Sequence, residues 1–105
     1  MVYAVYTLPS LYQRIIVKLS KLEREEIQRV VLQLIENPYV GDSLQIKSLR
    51  EKRLREKRLY YLVFEDLQAV LIVAISDKKT QQKTINSILS RINEYRNYLL
   101  ELLRE

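Results

Sequence analysis

The fold is decided by residues 49–64, whose sequence is LREKRLREKRLYYLVF. A five-residue unit occurs twice in it, because LREKR at 49–53 is repeated without change at 54–58. Leu, Arg, Glu and Lys all favour helix, but leucines five residues apart do not stay on one face of a helix with about 3.6 residues per turn. The run at 60–64 is rich in aromatic and β-branched residues, which favours strand. We therefore expect strands here, with the turn of a hairpin inside the repeat.

A second apolar run, at residues 70–75, follows after a short polar link that contains Glu65 and Asp66. Two such runs in close succession predict an antiparallel pair of strands. In each run the apolar side chains occupy both alternating sets of positions, so both faces of both strands are apolar. This pattern is typical of central strands that are covered on both sides.

The residues before the repeat predict a strand followed by two helices. Residues 2–7 favour a short strand, and apolar residues at helical spacing predict a first helix over residues 10–19. Ser20 and Glu23 have the spacing of a capping box, which begins a second helix, and the residue before Pro38 ends it. We expect the helices to form an antiparallel hairpin on one face of the sheet, followed by a turn at residues 41–43.

The C-terminal segment predicts one long helix over residues 81–103. Its apolar residues have the alternating spacing of an a/d heptad pattern. They are Ile85, Ile88, Ile92, Tyr95, Leu99 and Leu102. Two interpretations are open at this point: the stripe packs on the chain's own sheet, or it forms a homodimer or another partner surface.

The charge of the chain is concentrated in one segment. The 105 residues carry 18 Lys and Arg against 13 Asp and Glu, a formal net charge of +5. Residues 47–58 hold seven cations and only two acids, Glu51 and Glu56, so the rest of the chain is neutral in total. A localised basic patch is typical of a protein that binds nucleic acid, although a solvated charged turn has the same composition. The cations are Lys47, Arg50, Lys52, Arg53, Arg55, Lys57 and Arg58.

The residue types that are missing exclude several classes of function. The chain has no Cys and no His, which excludes disulfides, Ser-His and Cys-His relays and the usual zinc ligands. Its single Gly excludes Gly-rich phosphate loops. We therefore expect no metal and no cofactor. No apolar stretch is long enough to span a membrane, and the N-terminus lacks a basic leader, so we expect a cytoplasmic protein.

The order of these segments resembles the RelE/ParE superfamily of toxins from toxin–antitoxin pairs. Residues 36–44 (ENPYVGDSL) resemble the family's turn after the second helix. Residues 49–51 and 58–64 resemble its central hairpin, and residues 74–82 (AISDKKTQQ) are similar to a segment of its HigB-like members. The resemblance covers most of residues 1–95.

The resemblance implies one domain over residues 1–105 with a RelE-like α+β fold. This fold has an N-terminal strand, a helical hairpin and a curved, mostly antiparallel sheet of about four strands, here with a long C-terminal helix. One sheet face carries the helical hairpin, and the other is a concave basic surface that meets nucleic acid. The resemblance also implies a toxin that a cognate antitoxin holds inactive, and that cleaves mRNA on the ribosome as an endoribonuclease.

The resemblance also implies roles for individual residues. Arg58 corresponds to an arginine that opens the strand after the basic hairpin, and we expect it to contact phosphate. Lys78 and Lys79 correspond to basic residues after the last core strand, where they stabilise the reacting phosphate and one acts as acid or base. The other cations of the patch are expected to bind RNA: Lys47, Arg50, Lys52, Arg53, Arg55 and Lys57.

Two departures from the family pattern leave other functions open. RelE-type enzymes carry a Tyr soon after the basic pair, whereas this chain has Thr84 and Ile85 in that stretch, and Glu51 and Glu56 dilute the basic patch. The alternatives are a non-enzymatic gyrase poison of the same fold, as in ParE-type members, and a dimeric interaction module. RNA cleavage needs a proton acceptor, a group that stabilises the phosphorane and a proton donor. Arg, Lys and Tyr can supply these groups without His.

Overall fold

The structure is a computed structural model that describes residues 2–104. A strand is followed by two helices, four strands and two further helices. Their bounds are β1 Ala4–Thr7, α1 Pro9–Arg14, α2 Lys21–Glu36, β2 Asp42–Leu44, β3 Ile46–Arg53, β4 Lys57–Phe64, β5 Ala69–Asp77, α3 Gln81–Leu89 and α4 Ile92–Leu103. Short 3-10 helices lie at Ile16–Lys18 and Glu65–Leu67. None of the helices in the described residues is long and apolar enough to cross a membrane.

The strands form one sheet in the order β1-β5-β4-β3-β2. β1 is parallel to β5 and the other pairs are antiparallel, so the predicted α+β class with a mostly antiparallel sheet is confirmed. The sheet has five strands rather than about four. The turn expected at residues 41–43 is wrong for Asp42 and Ser43, which lie in β2 and pair with β3. The reversal between β2 and β3 is made at Gln45, whose φ of 48° is left-handed.

The five-residue repeat forms two strands and the turn between them. Its first copy lies in β3, and its second copy makes the turn and begins β4. The Leu54 N–H donates to the Lys57 carbonyl across this turn at 2.9 Å. Leu49 and Leu54 are both buried, but in the two cores on opposite faces of the sheet. The leucine spacing that does not fit a helix therefore anchors the hairpin on both sides.

The first two helices cover one face of the sheet. They share a core with Leu59, Tyr61, Val63, Val70 and Ile72. The capping box is confirmed, because the Ser20 hydroxyl accepts the Glu23 N–H at 3.2 Å and the Glu23 carboxylate accepts the Ser20 N–H at 3.2 Å. The single helix expected over residues 10–19 is wrong: α1 ends at Arg14 and a 3-10 helix follows. The β-branched run at residues 15–17 explains this, since such side chains crowd one another in an α-helix.

The C-terminal helices cover the opposite face. Ile85 and Ile88 of α3 and Leu99 of α4 are buried against the sheet, so most of the apolar stripe packs within the chain, whereas Leu102 at its end is exposed. The long helix expected over residues 81–103 is divided at Ser90, whose hydroxyl donates to the Ser87 carbonyl at 2.8 Å. Side-chain bonds of this kind compete with the helix. A homodimer through α4 stays a prediction.

The C-terminal helices also limit where the basic residues meet solvent. The resemblance implies that the face opposite the helical hairpin is a concave basic surface that meets nucleic acid, but α3 and α4 lie over the apolar centre of that face. The apolar residues on both faces of β4 and β5 explain this cover, because each face needs its own helical layer. The cations must therefore reach solvent near the ends of the strands.

Candidate nucleic-acid interface

A basic pocket of about 200 Å³ lies where the β3–β4 turn meets the segment after β5. The antiparallel pairing of β4 with β5 brings these segments together, because Lys57 is opposite Asp77 at the ends of the two strands. The pocket is lined by Arg53, Arg55, Glu56, Lys57, Arg58 and Lys78. The structure therefore joins Arg58 and Lys78 in one site. Lys79, the next residue, is exposed and does not line the pocket.

Arg58 is held at this pocket by a buried ion pair. Its Nη1 lies 3.1 Å from Oε2 of Glu51, and the side chains of Arg58 and Glu51 are 11% and 8% exposed. The other carboxylate oxygen of Glu51 accepts a hydrogen bond from the Gln81 amide at 2.6 Å. β3, β4 and the first turn of α3 thus meet at one carboxylate.

Two other cations of the pocket pair with acids of α2. The Arg55 Nε lies 3.1 Å from Oε1 of Glu26, and the Lys57 Nζ lies 3.4 Å from Oε2 of Glu23. Glu23 also belongs to the capping box, and its hydrogen bond from the Ser20 N–H lowers the pKa of its carboxyl below the usual value. The hairpin turn is therefore tied to the start of α2, and part of its positive charge is neutralised within the chain.

Lys47 and Arg50 lie away from the pocket. The Arg50 guanidinium donates to the carbonyls of Gly41 at 3.0 Å, Lys47 at 3.1 Å and Tyr39 at 3.4 Å, and it sits 5.1 Å from the centre of the Tyr39 ring. Lys47 pairs with Glu65 at 3.7 Å. Burial and the hydrogen bond to Glu65 raise the pKa of Tyr39. Arg50 therefore holds the loop before β2, Lys47 pairs with a residue after β4, and neither cation lines the basic pocket.

Apart from Arg50, whose guanidinium binds backbone carbonyls, four of the predicted site residues have no ion-pair partner within residues 2–104. They are Lys52, Arg53, Lys78 and Lys79. Asp77, just before the two lysines, accepts hydrogen bonds from the N–H and the hydroxyl of Thr80, each at 3.0 Å. The Thr80 N–H holds the pKa of the Asp77 carboxyl below its usual value. This closed turn leaves Lys78 and Lys79 exposed and available to an anion.

The central tyrosines are core residues. Tyr60 and Tyr61 are fully buried. The Tyr60 hydroxyl lies 2.8 Å from the Ser76 hydroxyl, and the Tyr61 hydroxyl donates to the Pro38 carbonyl at 2.8 Å. Burial raises the pKa of both hydroxyls. No tyrosine is among the described residues that line the basic pocket.

The sequence patterns assigned no role at the site to Glu51 and Gln81. Glu51 was expected to dilute the positive charge, but it is buried and binds Arg58. Strand alternation offers a signal that could have found it, because Glu51 lies two residues from the buried Leu49 and therefore on the same face. Gln81 offers no comparable signal, since its contact depends on how α3 packs on the sheet.

Comparisons with known proteins identify the fold. No protein-family model matches the chain, and no curated protein sequence matches it. The free state of an arginine-to-alanine double mutant of the E. coli toxin RelE matches 84% of this chain and 99% of its own length, with a TM-score of 0.68 and 17% identity. The fold is that of the RelE toxins.

Structures of toxin–antitoxin complexes share this RelE-like fold. The archaeal RelE–RelB complex from Pyrococcus horikoshii matches 74% of this chain and 97% of its own, with a TM-score of 0.66 and 17% identity. The toxin–antitoxin complex RelBE2 from Mycobacterium tuberculosis matches 74% of this chain and 100% of its own, with a TM-score of 0.63 and 20% identity.

Proposed function

We propose that this chain is the toxin of a toxin–antitoxin pair and acts as a ribosome-dependent mRNA endoribonuclease. The observation that carries the proposal is the basic pocket built around Arg58 and Lys78 on a fold shared with the RelE toxins. Five cations converge on a space of about 200 Å³, a size suited to a phosphate group rather than to a large apolar ligand. Such convergence is the electrostatic requirement for a phosphorane.

The proposed reaction is attack by the RNA on its own backbone. The 2′ oxygen forms a bond to the adjacent phosphorus, and the bond from phosphorus to the 5′ oxygen breaks, which leaves a cyclic phosphate and a 5′ hydroxyl. The 2′ hydroxyl loses its proton to a base, and the 5′ oxygen gains one from an acid. Arg58 has donors that match phosphate but cannot act as the base. We assign Arg58 and Lys78 to the phosphorane, and Lys78 or Lys79 to proton transfer.

The internal ion pairs divide the RNA-binding cations into two groups. Lys52, Arg53, Lys78 and Lys79 can meet phosphates without breaking an ion pair within residues 2–104. Arg55 and Lys57 must first leave the α2 acids or share them. Lys47 is paired with Glu65 and Arg50 is bound to the loop before β2, and we leave both out of the proposed RNA contacts. The unpaired group is therefore expected to supply most of the affinity.

The proposed partners are a cognate antitoxin, mRNA and the ribosome, in the cytoplasm. Support for the antitoxin comes from the neighbours, which include RelE in complex with RelB and the RelBE2 toxin–antitoxin complex. The ribosome is proposed because a pocket of about 200 Å³ holds little more than one phosphate group, so a second body would have to hold the rest of the RNA in place. No metal or cofactor enters the proposed chemistry.

The test is induced expression followed by growth measurement and mapping of mRNA ends. The proposal expects growth arrest with new mRNA ends, and loss of both effects in Arg58→Ala and Lys78→Ala. Arg29→Ala is the matched control, because Arg29 is an exposed cation of α2 outside the pocket. If the Arg58, Lys78 and Lys79 alanine variants all keep arrest and cleavage, the site assignment is wrong.

The same experiment separates the alternatives. Arrest with intact mRNA and inhibited DNA supercoiling would identify a gyrase poison. A stable dimer with no effect on growth and no salt-sensitive RNA binding would identify an interaction module.

A further inference from the structure

Glu51 is an acid placed at the base of a site that is otherwise positive. It is 7% exposed, and both of its carboxylate oxygens are engaged: Oε2 with Arg58 Nη1 at 3.1 Å and Oε1 with the Gln81 amide at 2.6 Å. Burying an ionised carboxylate is costly unless it is paired and hydrogen-bonded. A residue that only diluted the charge of the patch would not need to be buried.

Arg58 uses only a small part of its hydrogen-bonding capacity in this pair. A guanidinium has five N–H donors, and within residues 2–104 Glu51 is the only acceptor for them. No buried side-chain nitrogen or oxygen of the described residues lacks a partner. The guanidinium nitrogens without an acceptor are therefore open to the pocket that Arg58 lines.

Like charges surround Arg58 on the remaining sides. Arg53 is its direct partner across the β3–β4 ladder, and like charges directly opposite each other repel. Lys57 and Lys78 line the same pocket. Without a fixed counter-ion, this repulsion would move the flexible arginine side chain out of the pocket and into solvent.

We propose that Glu51 is a positioning residue that holds the Arg58 guanidinium in the pocket, with its free donors directed at an RNA phosphate. The inference rests on the proposed function, because it names the residue that prepares the same site. Gln81 holds the second oxygen of the carboxylate and so fixes the direction in which Glu51 meets Arg58. Glu51 acts through Arg58 and does not itself contact the RNA.

If Glu51 positions Arg58, removing its charge weakens RNA binding. If Glu51 only dilutes the positive charge, removing it strengthens RNA binding. Glu51→Gln and Glu56→Gln each remove one negative charge from the same region, and Glu56 lines the pocket without an ion pair in the described residues. If both acids only dilute the patch, both variants bind RNA more tightly. Positioning predicts that Glu56→Gln binds more tightly, whereas Glu51→Gln binds about tenfold more weakly through loss of a charged hydrogen bond.

The experiment measures the affinity of the full chain for a short single-stranded 2′-O-methyl RNA, which cannot be cleaved by 2′-hydroxyl attack. A second readout is the side-chain NMR spectrum of Arg58. The wild type is expected to give resolved Nη resonances, because the ion pair restricts rotation of the guanidinium, and Glu51→Gln is expected to lose them. In an Arg58→Ala background, Glu51→Gln should cause no further loss of affinity, since the residue through which it acts is gone.

Several results would overturn the proposal. One is that Glu51→Gln binds RNA as tightly as the wild type does. Another is that the loss of affinity caused by Glu51→Gln persists in the Arg58→Ala background. If Glu51→Gln does not fold, Glu51→Asp decides the question, because it keeps the charge but shortens the reach. Several-fold weaker RNA binding by Glu51→Asp supports the positioning role, and RNA binding as tight as that of the wild type contradicts it. A wild-type chain that neither binds this RNA nor cleaves mRNA would overturn the proposed function instead, and the inference with it.

Discussion

The Gly41 N–H donates a hydrogen bond to the Tyr61 hydroxyl at 3.0 Å, and that hydroxyl donates in turn to the Pro38 carbonyl at 2.8 Å. A Cβ at Gly41 would lie 2.7 Å from the hydroxyl and 2.5 Å from the Glu51 carbonyl oxygen. The chain's single glycine thus allows the loop before β2 to approach the sheet closely. The two hydrogen bonds tie this loop to β4.

Removing the Tyr61 hydroxyl should therefore destabilise the fold. Tyr61→Phe leaves the Gly41 N–H and the Pro38 carbonyl without their buried partner, and we expect the free energy of unfolding to fall by about 2 kcal/mol. Urea denaturation measures this change. Tyr12→Phe is the control, because Tyr12 is exposed and its substitution should have no effect. Equal stability of the two variants would contradict this account of the loop.

The buried tyrosines predict loss of stability at alkaline pH. Burial raises the pKa of Tyr60 and Tyr61, whereas both ionise near pH 10 in the unfolded chain. Above about pH 10 the unfolded state therefore holds fewer protons than the folded state, so stability falls as pH rises. Below that pH the contribution is fully present.

Denaturation between about pH 9 and pH 11 checks this sign. The double variant Tyr60→Phe/Tyr61→Phe should lose less stability over this range than the wild type, even though it is less stable at neutral pH. Parallel pH profiles for the two proteins would show that other groups cause the alkaline loss.

Substitution of Arg50 should affect the stability of the fold, and substitution of Arg53 should affect RNA binding. Arg50→Ala removes donors to three backbone carbonyls and is expected to cost about 2 kcal/mol of stability, with little effect on the RNA affinity of the folded chain. Arg53→Ala should leave stability unchanged and weaken RNA binding, with the slope of log K against log salt reduced by about 0.7 for one lost phosphate contact. Unfolding curves and salt titrations with the uncleavable RNA check both expectations. If Arg50→Ala weakened RNA binding and Arg53→Ala lowered stability, the roles assigned to the two arginines would be exchanged.

The ion pair between Arg55 and Glu26 should restrain RNA binding. Glu26→Gln releases the Arg55 guanidinium from its partner at 3.1 Å, so we expect tighter binding and a steeper salt dependence, by about 0.7 in the same slope. Glu25→Gln makes the same change of charge on α2 and has no ion pair within the described residues. If the two variants bind RNA equally, the effect belongs to net charge and not to release of Arg55.

Local sequence patterns predict much of this fold. The capping box of Ser20 and Glu23 begins α2 as expected, and the continuous apolar runs in β4 and β5 identify the two central strands. These features depend on residues close together in the chain, so the sequence is sufficient to predict them. The division of the last helix at Ser90 follows from a local hydrogen bond that competes with a strong apolar stripe, and the stripe alone does not reveal it.

The candidate site is less accessible to sequence analysis. The positive charge of residues 47–58 is evident from the chain, but its division into paired and unpaired cations depends on α2 acids far away in sequence. Arg50 and Arg53 look equivalent in the repeat, yet one holds a loop and the other lines the pocket. Strand alternation separates them, because a shift of three residues along a strand changes the face, but only once the strand itself is established.

The most direct test of the central claim is the mapping of mRNA ends after induced expression of the wild type and of Arg58→Ala. The claim is that the pocket around Arg58 promotes cleavage of mRNA. It predicts new mRNA ends with the wild type and a rate of cleavage about a hundredfold lower with Arg58→Ala, as expected when a group that stabilises the transition-state charge is removed. Cleavage by Arg58→Ala at the wild-type rate, in a variant that is folded, would contradict it.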